Sequence, residues 1–429
     1  MSTLRRIPLL GWILLAIVLG VALGPIMPKW LGDAFLTYNS IFSGFLGFAV
    51  PLLIFGLITP AIAELGQGAG KWLGITAGIA YTSTILAGLL SYIVSVLLYP
   101  RVISATGLVE VEGVESDGLE PYFTLSSAPT GGATNIVLAP PIEVMTALVL
   151  AFLIGLGLTV FKRSVLLEAS KEFRVIIEMA IRKVIVPALP LFIFGTFLDL
   201  SYSGEAWNVI TTFLVVVITS FALTIVVLLI QFTIAGIAAG KNPLKLLWGM
   251  KDAYFTALGT SSSAATIPIT LRSAKEVGVS NPVASFVVPL CATIHLSGSI
   301  VKITTFSIAV LILMGGNYSF AAIFPFLLML GVMMIAAPGV PGGAIAAASG
   351  LLVQMLGFGD AAIGLMFAAY IALDSFGTAT NVTGDGAIAV LVDRLSKGKV
   401  GNGEEELSST DPEVELVETE MMETAILDD

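Results

Sequence analysis

The chain contains 429 residues, of which 56% are hydrophobic and 12% are charged. Soluble domains carry about twice that charged fraction, so the composition excludes an ordinary soluble protein. The net charge of −10 says little about partners because much of the acid lies in residues 109–120 and in the tail after Gly401, while the single cysteine, Cys291, excludes an internal disulfide and a cysteine-ligated metal site.

Apolar runs long enough to cross a bilayer recur from residue 7 to about residue 392. A membrane-spanning helix needs about 20 such residues, and these runs are continuous rather than alternating, which favours helices over a β-barrel. In chain order, the predicted spans are about 7–27, 37–63, 72–99, 142–161, 173–199 and 207–239, followed by hydrophobic zones at about 281–314, 319–356 and 359–392. The chain is therefore predicted to be an all-α polytopic membrane protein.

Basic residues are concentrated in the connections on one side of these spans, which is the asymmetry of the positive-inside rule. The connections assigned to the cytoplasm contain most of them, whereas the outside loops hold mainly Lys29 and Arg101. Both termini are then predicted to be cytoplasmic, and residues 100–141 form an extracellular loop. The polar, acidic tail over 400–429 is expected to be disordered.

Two of the hydrophobic zones are interrupted by residues that do not suit a continuous lipid-facing helix. Residues 245–276 contain a serine-rich break around Ser261, and residues 319–356 contain the run Ala337-Pro-Gly-Val-Pro-Gly-Gly343. Such breaks are tolerated at membrane depth only inside protein or along a cavity. They predict two re-entrant helical hairpins, with a kinked ordinary helix as the alternative for each. Two interrupted segments, each beside a polar span, are typical of an inverted-repeat transporter.

Ionisable residues inside the predicted spans indicate a functional site. The segment from Asp374 to Asp385 places two carboxylates within an apolar helix, and His295 and Lys302 lie seven residues apart in the predicted span 281–314. A charge at membrane depth costs at least about 2.5 kcal/mol, so such residues face a cavity or a partner. The pattern favours a membrane protein that moves a small charged solute.

Four motifs occur in a specific order: Ser261-Ser-Ser-Ala-Ala-Thr-Ile-Pro268, Ala292-Thr-Ile-His-Leu-Ser-Gly298, Gly339-Val-Pro-Gly-Gly343 and Asp374-Ser-Phe-Gly-Thr-Ala-Thr-Asn-Val-Thr-Gly-Asp385. Together they resemble the dicarboxylate/amino acid:cation symporter family, which includes the glutamate transporters. The resemblance implies a homotrimer with eight transmembrane helices, two re-entrant helical hairpins arranged as inverted repeats, and an elevator mechanism.

The resemblance also implies a division of the chain into a static scaffold and a moving transport domain. Scaffold helices one and two lie in 1–70, and helices four and five lie in 142–200. The transport domain would contain the third helix (71–99), the sixth helix (207–240), the first hairpin (245–276), the seventh helix (281–314), the second hairpin (319–356) and the eighth helix (359–396). The extracellular loop is 100–141, and the tail is 400–429.

The substrate head group has candidate partners by residue-to-residue resemblance. Asp374 matches the position that binds the substrate α-ammonium, and a buried carboxylate needs a cationic partner. Asn381, about two helical turns later on the same face, matches the amide that holds the α-carboxylate. Ser263 matches a second contact to that carboxylate. A helix cap is the alternative reading of Ser262 and Ser263.

The remaining substrate positions bear on specificity. Val340 and Gly343 match the lid at the tip of the second hairpin. Carriers of acidic amino acids have an arginine where this chain has Gly377, and a bidentate arginine contact is not easily replaced. Gly377 and Thr378 leave space and a hydroxyl group. We therefore expect a neutral amino acid resembling serine, threonine or alanine.

The coupling sites depart from the family pattern. The candidate sodium ligands are the side chains of Thr82, Ser83, Thr84, His295, Ser297, Asn381 and Asp385. His295 and Ser297 stand where relatives have an asparagine and an aspartate, and hard cations prefer anionic oxygen ligands. The sodium site on the third helix is therefore expected to be weak or lost. The site at Asp385 is expected to survive beside a less suitable histidine.

The interpretation is a secondary transporter in the plasma or inner membrane that imports a neutral amino acid with sodium, without covalent cofactor or nucleic acid partner. One alternative is a proton-coupled or uncoupled exchanger that uses His295, whose ordinary pKa is about 6.5, and Lys302. Another is an acidic-substrate carrier in which Lys302 or the N-terminus of a hairpin helix replaces the arginine, although Lys302 lies about 10 Å along its helix from His295. A substrate-gated anion channel is a third. An intramembrane serine protease is disfavoured because no nucleophile motif is placed to use the histidine, so we expect no enzyme activity.

Overall fold

A computed structural model describes residues 9–66, 70–103, 119–126, 135–160, 164–204, 206–337 and 341–396. The first helices are α1 (Leu9–Leu23), α2 (Lys29–Gly66), α3 (Gly70–Val102), α4 (Val144–Thr159), α5 (Val165–Ala180), α6 (Val186–Tyr202) and α7 (Ala206–Ala239). They are followed by α8 (Pro243–Gly249), α9 (Lys251–Thr260), α10 (Ser263–Glu276), α11 (Asn281–Ile294), α12 (Ser297–Leu313), α13 (Phe320–Ala336), α14 (Gly343–Leu356), α15 (Asp360–Ala372) and α16 (Asp374–Ser396). The predicted tail over 400–429 and much of the predicted loop 100–141 lie outside the described residues.

Short elements join some of these helices. A 3-10 turn (Gly24–Ile26) follows α1, and a π-helical turn (Ile181–Ile185) connects α5 to α6. The strands β1 (Thr124–Ser126) and β2 (Asn135–Val137) pair in parallel, and β1 lies against α2. The helical run that ends in α6 begins at Val165, earlier than the predicted start at 173, because α5 is an amphipathic helix rather than a purely apolar one.

The described helices have the lengths and compositions of a polytopic membrane protein. Six segments are long and apolar enough to cross a bilayer: Leu9–Ile26, Lys29–Ala63, Lys71–Val102, Val165–Tyr202, Val209–Ala239 and Asn281–Leu313. The bent pair α15–α16 makes a seventh if it is counted as one span. Helix α4 has 16 residues, fewer than the roughly 20 that a full crossing needs. The prediction of a multi-pass helical membrane protein is confirmed, whereas the count of eight transmembrane helices stays a prediction.

Two helices that the sequence predicted as single elements are interrupted. The predicted seventh helix, 281–314, is α11 followed by α12, and His295 between them has an extended backbone (φ −108°, ψ 90°). The predicted eighth helix, 359–396, is α15 followed by α16, bent by 60° at Leu373. Both interruptions lie beside ionisable side chains, since His295 is at the first and Asp374 immediately follows the second. The backbone therefore turns where polar groups must be brought together.

The helix ends at the two predicted breaks are well defined. Helix α9 ends at Ser261, whose φ of 50° is left-handed, and the side chain of Ser262 caps α10 by accepting a hydrogen bond from the Ala265 N–H at 3.3 Å. Gly342 precedes α14 with a φ of 74°, which glycine adopts without steric cost. Helix α9 packs against α10, and α13 packs against α14.

The helices bury two main hydrophobic cores. The larger core joins α1–α7 to α12–α15, and the smaller joins α8–α11 and α16 to parts of α3 and α7. All 17 residues of α12 are buried, so its polar side chains meet protein rather than lipid. Helix α12 contacts α3 on one side and α16 on the other. The polar residues of α12 and α16 therefore face each other in the interior.

Candidate functional site

An ion pair between Lys302 of α12 and Asp374 at the start of α16 lies in the protein interior. Lys302 Nζ is 3.2 Å from Asp374 Oδ1, and the two side chains are 1% and 8% exposed. Nζ also donates to the Leu373 carbonyl at 3.4 Å and lies 3.7 Å from the centroid of the Tyr370 ring. A buried ion pair is tolerated when further hydrogen bonds compensate for lost hydration, and these contacts supply that compensation.

The second oxygen of the same carboxylate contacts the break between α13 and α14. The Gly342 N–H donates to Asp374 Oδ2 at 2.9 Å. Of the two lid positions predicted from the sequence, Gly343 is the first residue of α14 and directly follows this contact, while Val340 lies outside the described residues. Asp374 thus joins α12, the start of α14 and the bend between α15 and α16.

Gly377 makes room for Lys302. A Cβ atom at Gly377 would overlap Nζ and Cε of Lys302. The sequence interpretation gave this space to the substrate and rated Lys302 as the weaker choice for replacing the arginine, because it measured the distance from His295 along one helix. In the structure, the end of the Lys302 side chain lies against Gly377 and Asp374. The hydroxyl of Thr378 donates to the Asp374 carbonyl at 2.9 Å, within its own helix.

The Asn381 side chain caps the start of α12 from the neighbouring helix. Its Oδ1 accepts hydrogen bonds from the Gly298 N–H at 2.7 Å and the Ser299 N–H at 3.3 Å, and its Nδ2 donates to Ser299 Oγ at 3.1 Å. The free N–H groups at a helix start need such acceptors. A Cβ atom at Gly298 would overlap the Gly377 carbonyl, so glycine permits the close approach of α12 to α16.

The break between α9 and α10 also contacts the start of α16. Ser261 Oγ and Ser375 Oγ are 2.7 Å apart. Because Ser375 directly follows Asp374 in sequence, this break lies close to the start of α16. Ser262 has the helix-cap role that the sequence left open, and Ser263 is the buried first residue of α10. Breaks in three parts of the chain, at 261–262, 342 and 373, therefore meet around the start of α16.

A second buried network is built on His295 and Asp385. His295 Nδ1 lies 2.9 Å from Asp385 Oδ1, and both side chains are almost completely buried. His295 Nε2 lies 3.1 Å from Ser83 Oγ and 3.3 Å from Gln231 Nε2, and Gln231 Nε2 donates to Ser83 Oγ at 2.9 Å. A Cβ atom at Gly384 would lie 2.8 Å from His295 Cε1, so this glycine leaves room for the imidazole.

Gln231 is the member of this network that sequence reasoning missed. It lies in α7, where it belongs to no motif, and only its position as an amide within an apolar span could have indicated a role. The serine that it contacts, Ser83, was predicted from the resemblance. The structure brings Ser83 together with His295 and Asp385, whereas Thr82 on the same helix is exposed.

Buried oxygen atoms without hydrogen-bond partners lie in the parts of the chain that build this network. Among the residues that the structure describes, Asp385 Oδ2 and the hydroxyl oxygens of Thr84, Ser297 and Thr383 are buried without a hydrogen-bond partner. Helix positions one or two apart do not share a face, so their neighbours Ser83 and Asp385 do not by themselves place Thr84 and Thr383 beside the carboxylate. Sodium is bound through oxygen ligands, so Asp385 Oδ2 is the atom of this network that fits it.

Comparison with known proteins gives a consistent family assignment. Residues 9–395 match the model of the sodium:dicarboxylate symporter family. A serine/threonine transporter of Streptococcus agalactiae is 26% identical over 350 residues, covering 80% of this chain and 84% of the relative. The corresponding transporter of Bifidobacterium adolescentis is 26% identical over 346 residues (78% and 76%). That of Enterococcus faecalis is 24% identical over 415 residues (93% and 94%).

Proposed function

Since the chain belongs to the sodium:dicarboxylate symporter family, we propose that it is a secondary transporter that imports a neutral amino acid together with a cation. The observation that carries this proposal is the buried Lys302–Asp374 pair, with its Nζ–Oδ1 distance of 3.2 Å, where three breaks in the helices meet. The pair has no net charge. A zwitterion therefore enters without adding an uncompensated charge to a buried site, which would be costly.

The missing arginine disfavours acidic substrates. Lys302 lies against Gly377, where acidic carriers have an arginine, but it is already paired with Asp374. A second carboxylate of the substrate would therefore lack a bidentate arginine contact, which is not easily replaced. The relatives named serine/threonine transporters support a small substrate with a hydroxyl group. We propose serine, threonine or alanine.

We propose sodium as the coupling ion, bound through Asp385. Its Oδ2 atom is buried and accepts no hydrogen bond from the described residues, so a cation there would gain an anionic ligand. Ser297 in place of the family's aspartate leaves the hydroxyl-rich region near Ser83 without a carboxylate of its own. One sodium site on the third helix is therefore lost or weak. Coupling to protons through His295 is the competing outcome, and experiment separates the two.

The proposed mechanism is an elevator-like movement that exposes the site alternately to each side of the membrane. The transport domain would comprise α3, α7, the hairpins over 245–276 and 319–356, and the helices of 281–314 and 359–396. The scaffold would comprise α1, α2 and α4–α6 in a homotrimer, with both termini in the cytoplasm. The separate core of α8–α11 and α16 supports one moving unit, although α3, α7 and α12–α15 share a core with the scaffold helices.

A ligand panel on the purified full-length protein tests the function. Thermal unfolding is measured with the twenty amino acids, succinate and malate, each in sodium or choline chloride, at pH 5.5 and 8. A ligand at 100 times its Kd adds about 2.7 kcal/mol of stability. We expect stabilisation by serine, threonine or alanine only with sodium. Stabilisation that depends on pH but not sodium assigns the coupling to protons, and stabilisation by aspartate or succinate alone contradicts the neutral substrate.

Currents distinguish a transporter from a channel. In proteoliposomes, a transporter should accumulate labelled serine and carry current only with substrate and ion gradients. Conductance that persists without substrate would favour the substrate-gated anion channel. The family assignment supports a transporter and not an enzyme.

Gly342→Ala and Gly357→Ala form a matched pair that tests the contact between α14 and Asp374. Their φ angles are 74° and 70°, and a methyl group has room at both sites. An alanine in this conformation costs about 1–2 kcal/mol, so both variants should melt at similarly lower temperatures. Of the two glycines, only Gly342 donates its N–H to Asp374, so we expect the affinity for serine to change several-fold in Gly342→Ala but not in Gly357→Ala. Equal serine affinities in the two variants, measured by titration, would exclude this contact from the site.

A further inference from the structure

We propose that the Lys302 ammonium group binds the α-carboxylate of the substrate, so that Lys302 and Asp374 together recognise both charges of an amino acid head group. This inference rests on the proposed function and assigns a residue that the resemblance does not. It adds a cationic partner to the contact expected from Asn381. The ligand class is an α-amino acid with a free ammonium and a free carboxylate.

The Asn381 amide is committed to the helix start. Its oxygen accepts from the N–H groups of Gly298 and Ser299, at 2.7 and 3.3 Å, and its nitrogen donates to Ser299 Oγ at 3.1 Å. All of these groups are buried. The amide oxygen is therefore occupied, and one N–H of the amide nitrogen is left that can donate to a carboxylate, because a side-chain amide has two donors. One neutral N–H does not compensate the charge of a buried carboxylate, so the carboxylate also needs a cationic partner.

Lys302 has a donor that a carboxylate can take without breaking the ion pair. Of its two hydrogen bonds, the one to the Leu373 carbonyl is the longer, at 3.4 Å, against 3.2 Å for the one to Asp374. A carboxylate oxygen is a stronger acceptor for an ammonium group than a carbonyl, with typical distances of about 2.7–2.9 Å. Exchange of this one bond keeps the 3.2 Å contact to Asp374. The substrate ammonium then approaches Asp374, whose side chain is the more exposed of the pair.

The surroundings hold the Lys302 ammonium group in position. The Tyr370 ring lies 3.7 Å from Nζ, and the Tyr370 hydroxyl is fixed by donating to Ser299 Oγ at 3.0 Å. Gly377 offers the space in which the end of the Lys302 side chain lies. Because the Lys302 side chain is already held in place, it loses little conformational entropy when a substrate binds, and this favours a higher affinity for the substrate.

The four charges then alternate in sign: Asp374 carboxylate, Lys302 ammonium, substrate carboxylate and substrate ammonium. A ligand that lacks either charge leaves one protein charge partly unmatched in a buried site. We therefore expect the wild-type protein, in sodium chloride, to bind L-serine at least about 10-fold more tightly than L-serinamide, which lacks the carboxylate, or glycerate, which lacks the ammonium.

The decisive experiment compares these three ligands on full-length wild type and Lys302→Met by thermal shift and by displacement of labelled serine. In Lys302→Met, Asp374 retains its charge but has no ammonium partner. We expect serine affinity to fall by about 100-fold and serinamide, a cation, to become the better ligand. This reversal of preference is a result that mere destabilisation would not produce.

The possible results separate the inference from the proposed function. Equal serine affinity in wild type and Lys302→Met, or equal affinity of wild type for serine and serinamide, overturns the inference while the transporter proposal stands. Failure of every amino acid to bind wild type overturns the proposed function. If Lys302→Met does not fold, Lys302→Gln keeps a polar side chain without the charge, and the wild-type ligand series still decides the question.

Discussion

Asp374→Ala is expected to abolish serine uptake and to lower thermal stability strongly. Removal of one partner from a buried ion pair leaves the other charge uncompensated, at a cost of about 3–5 kcal/mol. Here the remaining charge is Lys302, whose side chain is only 1% exposed. The Gly342 N–H also loses its acceptor. Melting temperature in detergent and uptake into proteoliposomes measure the two effects separately.

The double variant Asp374→Ala/Lys302→Met distinguishes loss of structure from loss of function. Because both charges are removed, we expect the melting temperature to recover substantially towards the wild-type value, while uptake remains absent. Asp393→Ala is the control, since Asp393 lies on the same helix and is partly exposed near the opposite end. Normal uptake by Asp374→Ala at a normal expression level would contradict the assigned substrate site.

Asp385→Asn is expected to remove the stabilisation by sodium and to reduce sodium-driven uptake by at least about 100-fold. Asparagine keeps an oxygen that can accept the hydrogen bond that His295 Nδ1 makes at 2.9 Å, so the network can retain its shape. The negative charge that a hard cation prefers is lost. Thermal unfolding across a series of sodium concentrations, with choline chloride holding ionic strength constant, measures the change directly.

Asp252→Asn is the matched control because this carboxylate is exposed on α9, away from His295. Its sodium response should equal that of wild type. A sodium response that survives in Asp385→Asn would remove Asp385 from the coupling site. Uptake that is insensitive to sodium in wild type, but differs between wild type and His295→Asn as pH changes, would assign the coupling to protons.

The membrane class and the positions of the helix breaks could be predicted because they depend on local composition. Apolar runs of bilayer length predict helices wherever they occur. Serine at 261–263 and the proline–glycine run that ends at Gly343 interrupt the helical pattern within a few residues. The interruption at His295 could not be predicted in this way, since neither glycine nor proline marks it. It is accompanied by contacts to Asp385 and Ser83, which are distant in sequence.

The partner of Lys302 could not be predicted from distances along one helix. Lys302 and Asp374 are 72 residues apart, and their contact depends on the 60° bend between α15 and α16. The occupant of the space beside Gly377 could not be predicted for the same reason. The sequence shows that the arginine is missing, but it does not show that the Lys302 side chain fills the space. The contact of Asn381 with α12 could not be predicted either. Two of its partners are the backbone N–H groups of Gly298 and Ser299, and every residue except proline has such a group.

The membrane potential exerts no net electrical force on the Lys302–Asp374 pair, because the pair is dipolar rather than charged. Moving one elementary charge through the whole membrane changes its energy by about 2.3 kcal/mol per 100 mV. A serine zwitterion at this pair adds nothing to that term. Any voltage dependence of uptake therefore reports the co-transported ion and the charge of the His295–Asp385 network, so that an electrode counts ions while a radioactive label counts amino acids.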